Sequence, residues 1–271
     1  MTTSTKPRAR TLKTIGITAL ATIVVVVACL WMFQNAFIYR QVAPVTEMQP
    51  GWTDVKLPAP AVGGTAKHLP ARAGKPTVLV LQGYGYTGGL AATRNFAKAG
   101  MGVLLPEYPG HAGSAGSPSK ESLEATADGG LAWLRAKGVA ADDIVIYGIG
   151  LGAGPAIHAA RQPHGRLVIV SGVADMGDAV RYHVPMVPDA LVKDDWRNAE
   201  ALSTIKGKIT VVHGMTDEEV PYSEGEALAA AAKVPVISLP GDHMVAFDTG
   251  LQDALAASFS MKAPRAAPAT R

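Results

Sequence analysis

The stretch from Asp143 to Pro155 constrains the fold more than any other part of the chain. It begins with Ile144–Tyr147, a short apolar run of mostly β-branched side chains bounded by acids and glycines. Such a run predicts a strand buried inside a parallel sheet. Four glycines then alternate with other residues, and Pro155 suits the first turn of a helix. The sequence therefore predicts a buried strand, a tight glycine-rich turn and the start of a helix.

The same alternation of strand and helix continues through the chain from residue 77 onward. The strand-like runs are 77–81, 102–105, 166–170, 209–213 and 234–239, and the helix-like runs are 90–99, 120–137, 223–233 and 244–261. This alternation predicts an α/β fold, with a mostly parallel central sheet that carries helices on both faces.

An apolar segment precedes this domain. Residues 14–39 contain no charged side chain, and a helix needs roughly 20 apolar residues to cross a bilayer. A signal-peptide core is shorter, at about 7–15 residues. Four basic residues precede the segment and Arg40 follows it, which predicts a cytoplasmic N-terminus and an extracytoplasmic main domain. The sequence thus predicts a single-pass membrane protein, held in the lipid bilayer by one uncleaved transmembrane helix.

The only cysteine, Cys29, lies in this segment, so no disulfide within the chain is predicted. Val26–Cys29 is similar to a lipoprotein box, but the residues after Cys29 are large and apolar, which favours the anchor over lipidation. The formal net charge is +3 and no basic stripe with interleaved aromatic residues is present. Nucleic acid is therefore not an expected partner.

Several motifs resemble those of one enzyme family. Gly148–Gly152 resembles the nucleophile elbow of α/β-hydrolases, G-x-S-x-G, which joins a strand to a helix. Its flanks, from Tyr147 to Ala156, resemble the elbow of the membrane-anchored serine hydrolases of that superfamily, a branch of esterase- and lysophospholipase-like enzymes. Phe33–Tyr39 and the loop 107–119 are similar to two further motifs of this branch. The resemblance covers about residues 33–259 and implies the α/β-hydrolase fold.

This resemblance implies a division of the chain into five parts. They are a basic cytoplasmic N-terminus (1–13), a transmembrane anchor (14–39), a linker or a pair of opening strands (40–76), an α/β-hydrolase domain (77–261) and a disordered tail (262–271). Residues 172–204 have an irregular pattern with two prolines, and this is where the fold inserts a lid.

The resemblance also implies the site residues, although the nucleophile is missing because Gly150 stands where serine is expected. In this fold the acid and then the histidine follow the nucleophile along the chain. Asp217 matches the acid, and His243, after the next predicted strand, matches the base. The oxyanion hole is expected from the backbone N–H groups of Leu151 and Tyr84. No cofactor and no metal is implied.

Glycine at position 150 bears directly on activity. A serine at the elbow is held in a strained conformation that glycine adopts readily, so the turn would keep its shape without the hydroxyl. Three routes to hydrolysis stay open: a water activated by the acid–base pair, Ser171 at the end of a predicted strand, or Ser114 or Ser117 in a glycine-rich loop. The sequence is also compatible with an inactivated variant of an active enzyme.

A different class of function, nucleotide binding, is suggested by Gly148-x-Gly150-x-x-Ala153, which fits a loose dinucleotide fingerprint. That fingerprint normally follows the first strand of its sheet and needs an acid about 20 residues later. Here at least two predicted strands come earlier, and the strand that ends at Val170 has no acid at its tip. Nucleotide binding is therefore not predicted.

The favoured hypothesis is a degenerate hydrolase that acts by binding an acyl or lipid-like small molecule, or a partner. The rival hypothesis is an active hydrolase of ester bonds that uses an activated water or another nucleophile. Gly150 at the nucleophile position favours the first hypothesis, and the retained Asp217 and His243 favour the second.

Overall fold

The computed structural model describes residues 6–39, 50–61, 64–83, 93–111 and 114–260. Among these residues the helices are α1 (Lys6–Ile38), α2 (Arg94–Lys98), α3 (Lys120–Ala136), α4 (Ala153–Ala159), α5 (Met176–His183), α6 (Asn198–Leu202), α7 (Tyr222–Ala232) and α8 (Thr249–Ser260). The strands are β1 (Thr53–Lys56), β2 (Thr65–Leu69), β3 (Thr77–Leu81), β4 (Gly102–Pro106), β5 (Ile144–Ile149), β6 (Arg166–Val170), β7 (Lys208–Gly214) and β8 (Val236–Leu239).

These strands form one sheet in the order β1-β2-β4-β3-β5-β6-β7-β8. β1 pairs with β2 and β2 with β4 in antiparallel fashion, and the other pairs are parallel. The prediction of a mostly parallel sheet with helices on both faces is confirmed. β1 and β2 form an opening hairpin within the stretch 40–76, of which residues 40–49 lie outside the described residues, as does the predicted tail 262–271.

Alternate side chains of the central strands pack on opposite faces of the sheet. In β5, Ile144 and Ile146 lie in one apolar core, whereas Val145 and Tyr147 lie in the other. The first core is covered by α3, α4, α6 and α7, and the second by α2 and α8. Because β5 is buried on both faces, it has a continuous apolar sequence instead of an alternating one.

The long N-terminal helix α1 projects away from the domain. The side chains of residues 11–33 are all exposed, and only the last turns of the helix pack on the domain. Residues 11–38 are long and apolar enough to cross a membrane, since 28 helical residues extend about 42 Å. α1 is therefore a candidate for a membrane anchor or a signal segment.

The cap segment, residues 172–204, is more regular than its sequence suggests. It contains α5, a 3₁₀ turn over Asp189–Leu191, and α6. The start of α5 is stabilised by the carboxylate of Asp175, which accepts hydrogen bonds from the N–H groups of Gly177 and Asp178. The final helix likewise begins later than residue 244, because His243–Phe247 forms a 3₁₀ turn before α8.

Candidate functional site

The turn after β5 has the backbone conformation of an elbow. Gly150 has φ +54°, in the left-handed region that favours glycine, and opens a 3₁₀ turn that runs directly into α4. Glycine is required at position 152 because the end of β3 passes close to its backbone: a Cβ there would stand 2.0 Å from the carbonyl oxygen of Leu81. A chain with side chains at both positions would be strained at one and would clash at the other.

The second part of the site is a buried pair of ionisable side chains at the ends of two neighbouring strands. Asp217 follows β7 and His243 follows β8, and Asp217 Oδ2 lies 2.8 Å from His243 Nδ1. Asp217 Oδ1 accepts hydrogen bonds from the N–H groups of Glu219 and Val220 at 3.0 and 2.8 Å. Since an ionised carboxylate only accepts, Nδ1 carries the proton and donates, and Nε2 is directed elsewhere.

Burial alone would raise the pKa of Asp217. The hydrogen bond and the charge of His243, together with the N–H of Val220, outweigh burial and hold the pKa below its ordinary value. Asp217 therefore stays ionised at neutral pH, and a carboxylate in this position orients the imidazole and stabilises its protonated form.

The elbow and the ion pair meet at one point. A Cβ built on Gly150 would lie 3.1 Å from Nε2 and 3.3 Å from Cε1 of His243. Position 150 thus presents its missing side chain directly to the nitrogen that a nucleophile's hydroxyl would contact. The structure brings the predicted positions 150, 217 and 243 together, and their catalytic roles stay predictions.

Only one half of the predicted oxyanion hole falls within the described residues. The loop after β3 lies against the elbow, since a Cβ on Gly83 would stand 3.6 Å from the backbone nitrogen of Leu151. Tyr84, the other predicted donor, lies outside the described residues. Leu151 is consequently the predicted donor whose placement the structure gives.

Ser171 lies at the edge of this site, directly after β6. It is buried and has φ +48°, which is unusual for a residue with a side chain. Its hydroxyl stands beside Asp217 and is the smallest of the influences that lower the pKa of that carboxyl. The hydroxyl forms no hydrogen bond of ordinary geometry to a described residue. Ser171 is thus placed next to the acid, and its backbone carbonyl oxygen would lie 4.0 Å from a Cβ built on Gly150.

Ser114 and Ser117 have local roles in their loop. Ser114 donates its N–H to the carbonyl of His111 at 2.8 Å, and its own carbonyl accepts from Gly110. The carbonyl of Ser117 accepts a hydrogen bond from the Ser122 hydroxyl at 3.3 Å. These contacts are those of a turn that leads into α3, and they involve neither His243 nor Asp217.

A second histidine, His213, was missed by the sequence reasoning. It is fully buried at the end of β7, with Nε2 at 2.9 Å from the carbonyl of Val220 and 3.5 Å from Asp217 Oδ2. Burial lowers the pKa of His213, so the ring is neutral and Nε2–H donates to Val220. Its position four residues before Asp217 was the available signal. Within the described part of the chain, no group of three or more His, Cys, Asp or Glu side chains is arranged to hold a metal ion.

The chain was compared with families and with individual proteins. No protein-family model matches the chain. The chain is 29% identical over 248 residues to an uncharacterized protein of Mycobacterium tuberculosis, covering 86% of this chain and 88% of that protein. It is 28% identical over 135 residues to alpha/beta hydrolase domain-containing protein 17B of Xenopus laevis, which covers 49% of this chain and 46% of the relative.

Two solved structures with the same architecture are esterases. The Pyrococcus furiosus esterase Pf2001 superimposes with a TM-score of 0.65 at 17% identity, covering 82% of this chain and 97% of its own. The esterase RhEst1 from Rhodococcus gives a TM-score of 0.58 at 15% identity, covering 78% and 98%. The chain therefore has the α/β-hydrolase fold, and its sequence relatives support a place in the α/β-hydrolase superfamily.

Proposed function

We propose that this chain is a membrane-anchored protein of the α/β-hydrolase fold that has lost its nucleophile and acts by binding an acyl or lipid-like ligand, or a partner. The proposal depends on one observation: Gly150 occupies the elbow at φ +54°, and its absent Cβ would stand 3.1 Å from His243 Nε2. This geometry supports a site that keeps the elbow and the histidine but lacks the hydroxyl that would attack.

The absence of a serine Oγ at position 150 changes the chemistry of the site more than its shape. Without Oγ at the elbow no acyl-enzyme forms there, and loss of a triad serine costs on the order of 10⁶-fold in turnover. Backbone donors such as Leu151 N–H do not depend on side-chain identity. A site that keeps them still binds a carbonyl oxygen of an ester or of a carboxylic acid.

A second candidate is slow hydrolysis through an activated water. The observation that favours it is the retained hydrogen-bonded pair of Asp217 and His243 at 2.8 Å, with Nε2 directed at the elbow. In this mechanism Nε2 accepts a proton from a water, the water oxygen attacks the ester carbonyl, and Asp217 stabilises the imidazolium that results. The tetrahedral intermediate then collapses, the C–O bond to the alcohol breaks, and the imidazolium returns its proton to the departing alkoxide.

The proposed membrane topology places the N-terminus in the cytoplasm and the domain outside it, with α1 as the anchor. The charge asymmetry around the apolar segment and the exposure of residues 11–33 support this arrangement. We further propose that the cap segment forms a lid over the site.

The deciding experiment restores the hydroxyl in the full chain, using Gly150→Ser with Gly150→Ala as the matched control. Both variants place a side chain at a positive φ, which costs about 1–3 kcal/mol, and both move His243 by a few tenths of an ångström, but only serine adds Oγ. Hydrolysis of short p-nitrophenyl esters and labelling by a fluorophosphonate probe are measured in detergent micelles.

We expect the natural chain and Gly150→Ala to be silent and Gly150→Ser to gain both turnover and labelling. Turnover by the natural chain that His243→Ala abolishes would overturn the proposed loss of activity. Without fluorophosphonate labelling it would favour the water mechanism, and with labelling it would indicate another nucleophile. Silence of all three folded proteins would mean that the site no longer supports acyl transfer, and the binding proposal would then depend on ligand-binding measurements.

A further inference from the structure

The loop between α5 and the 3₁₀ turn at Asp189 exposes an apolar surface. Residues 184–188, which we name the apolar tip, have the sequence Val-Pro-Met-Val-Pro and carry no charge. Met186 is 92% exposed and Val184 is 51% exposed. Two prolines restrict this loop, so its exposed apolar side chains cannot easily fold back onto the domain.

Charged groups next to the tip are engaged with one another. The guanidinium of Arg181 forms ion pairs with the carboxylates of Asp178 and Asp189, one on each side of the tip. His183 Nε2 lies 2.9 Å from the backbone carbonyl of Glu219. The charged side chains beside the tip are thus paired, with two carboxylates for one guanidinium, while residues 184–188 themselves carry no charge.

The tip is held beside the base of α1. Gln34 donates from Nε2 to the carbonyl of Leu191 at 2.9 Å, and Gln34 Oε1 accepts from the N–H of Lys193 at 2.9 Å. Lys193 Nζ also donates to the carbonyl of Met32 at 3.2 Å and lies 4.2 Å from the centroid of the Trp31 ring. These contacts fix the segment after the tip to the last turns of the helix.

The length of α1 relates the Gln34 contact to the surface of a bilayer. Residues 11–33 extend about 34 Å as a helix, which matches a hydrocarbon core of about 30 Å. Gln34 then stands at the membrane surface. Met186 precedes Leu191 by five residues, so the tip lies within about 18 Å of the Gln34 contact.

We propose that the apolar tip inserts into the lipid surface of the membrane that α1 spans, beside that helix. This inference rests on the proposed membrane anchoring. The contact of His183 with Glu219 joins α5 to the loop of Asp217, and Met215 and Met244 expose apolar side chains next to the acid and the base. On this proposal the site takes its ligand, an acyl compound, from the bilayer.

The test measures the membrane depth of three fluorophores in the full chain, reconstituted into phosphatidylcholine vesicles. An environment-sensitive nitrobenzoxadiazole label is attached to Cys29 in the natural chain. In two variants that carry Cys29→Ser, it is attached instead to the new cysteine of Met186→Cys or of Asp142→Cys. Asp142 is exposed beside the start of β5, at the opposite end of the strands from the site, and serves as the matched control. Quenching by nitroxide lipids reports contact with the bilayer, and quenching by iodide reports contact with water.

We expect the Met186 label to be quenched severalfold more by shallow nitroxide lipids than the Asp142 label, and to be protected from iodide. The Cys29 label reports the anchor separately. If Cys29 lies in the bilayer while Met186 behaves like Asp142, the tip proposal is overturned and the anchoring stands. Protection of Met186 from iodide without nitroxide quenching would show that protein covers the tip and would also overturn it. A Cys29 label outside the bilayer would refute the anchoring and the tip proposal together.

Discussion

Replacing Tyr39 with phenylalanine removes a single oxygen atom from the junction between α1 and the domain. The Tyr39 side chain is buried, and its hydroxyl donates to Asp194 Oδ2 at 2.5 Å and accepts from Trp196 Nε1 at 3.1 Å. Asp194 Oδ2 also accepts the N–H of Lys120, at the start of α3. Trp196 packs against α4, where a Cβ on Gly154 would stand 2.4 Å from the indole ring. One hydroxyl therefore links α1, the cap segment and the helix that follows the elbow.

The cost of Tyr39→Phe follows from two losses. The hydrogen bond to a carboxylate is worth about 1.5–3 kcal/mol, and the buried indole N–H left without its acceptor costs about 1–3 kcal/mol. The two losses do not add fully, because both arise from the same hydroxyl oxygen and Asp194 keeps the backbone N–H of Lys120 as a donor. We therefore expect the free energy of unfolding to fall by about 3 kcal/mol. For a domain of this size, that loss lowers Tm by about 6–12 °C.

The assay is thermal unfolding of the full chain in detergent micelles, followed by near-ultraviolet circular dichroism. Tyr182→Phe is the matched control, because it makes the same chemical change at a tyrosine that is 54% exposed, and it is expected to shift Tm by less than about 2 °C. If Tyr39→Phe melts within about 2 °C of the natural chain, the Tyr39 hydroxyl does not join the end of α1 to the folded domain, and the predicted link is refuted.

Three further predictions concern the site and its support. The lowered pKa of Asp217 stabilises the fold at pH values above the ordinary pKa of about 4, and this contribution is lost as pH falls through the pKa of the folded state. When Tm is measured between about pH 6 and about pH 3, Asp217→Asn should therefore lose less Tm than the natural chain. An equal loss of Tm in both proteins would contradict a lowered pKa. Burial raises the pKa of Glu224, whose Oε2 accepts hydrogen bonds from the N–H groups of Ala174 and Asp175. Because ionisation of this side chain lowers the stability of the fold as pH rises, the Tm of Glu224→Gln relative to the natural chain should increase with pH. A decrease would be inconsistent with a raised pKa. Gly152→Ala should destabilise by about 2–3 kcal/mol in chemical denaturation, because its Cβ meets backbone, and a neutral result would show that the elbow adapts freely.

Much of the fold could be predicted because its signals are local. The buried run 144–147, the glycines after it and the alternation of strand and helix each depend on neighbouring residues, and they indicated the sheet and the elbow. The 3₁₀ turn His243–Phe247 and the helices of the cap segment were not predicted. Their ends depend on single side chains, such as Asp175 at the start of α5, and not on a periodic pattern.

The sequence by itself determined which positions are candidates for the site, because the resemblance sets the order of Gly150, Asp217 and His243 along the chain. Only the tertiary structure decided that these positions meet, because the parallel order β5-β6-β7-β8 gathers the carboxyl ends of these strands at one edge of the sheet. It also decided the junction of Tyr39 with Asp194, two residues 155 positions apart. Contacts over such separations depend on how elements pack, and packing leaves no local pattern in a single sequence.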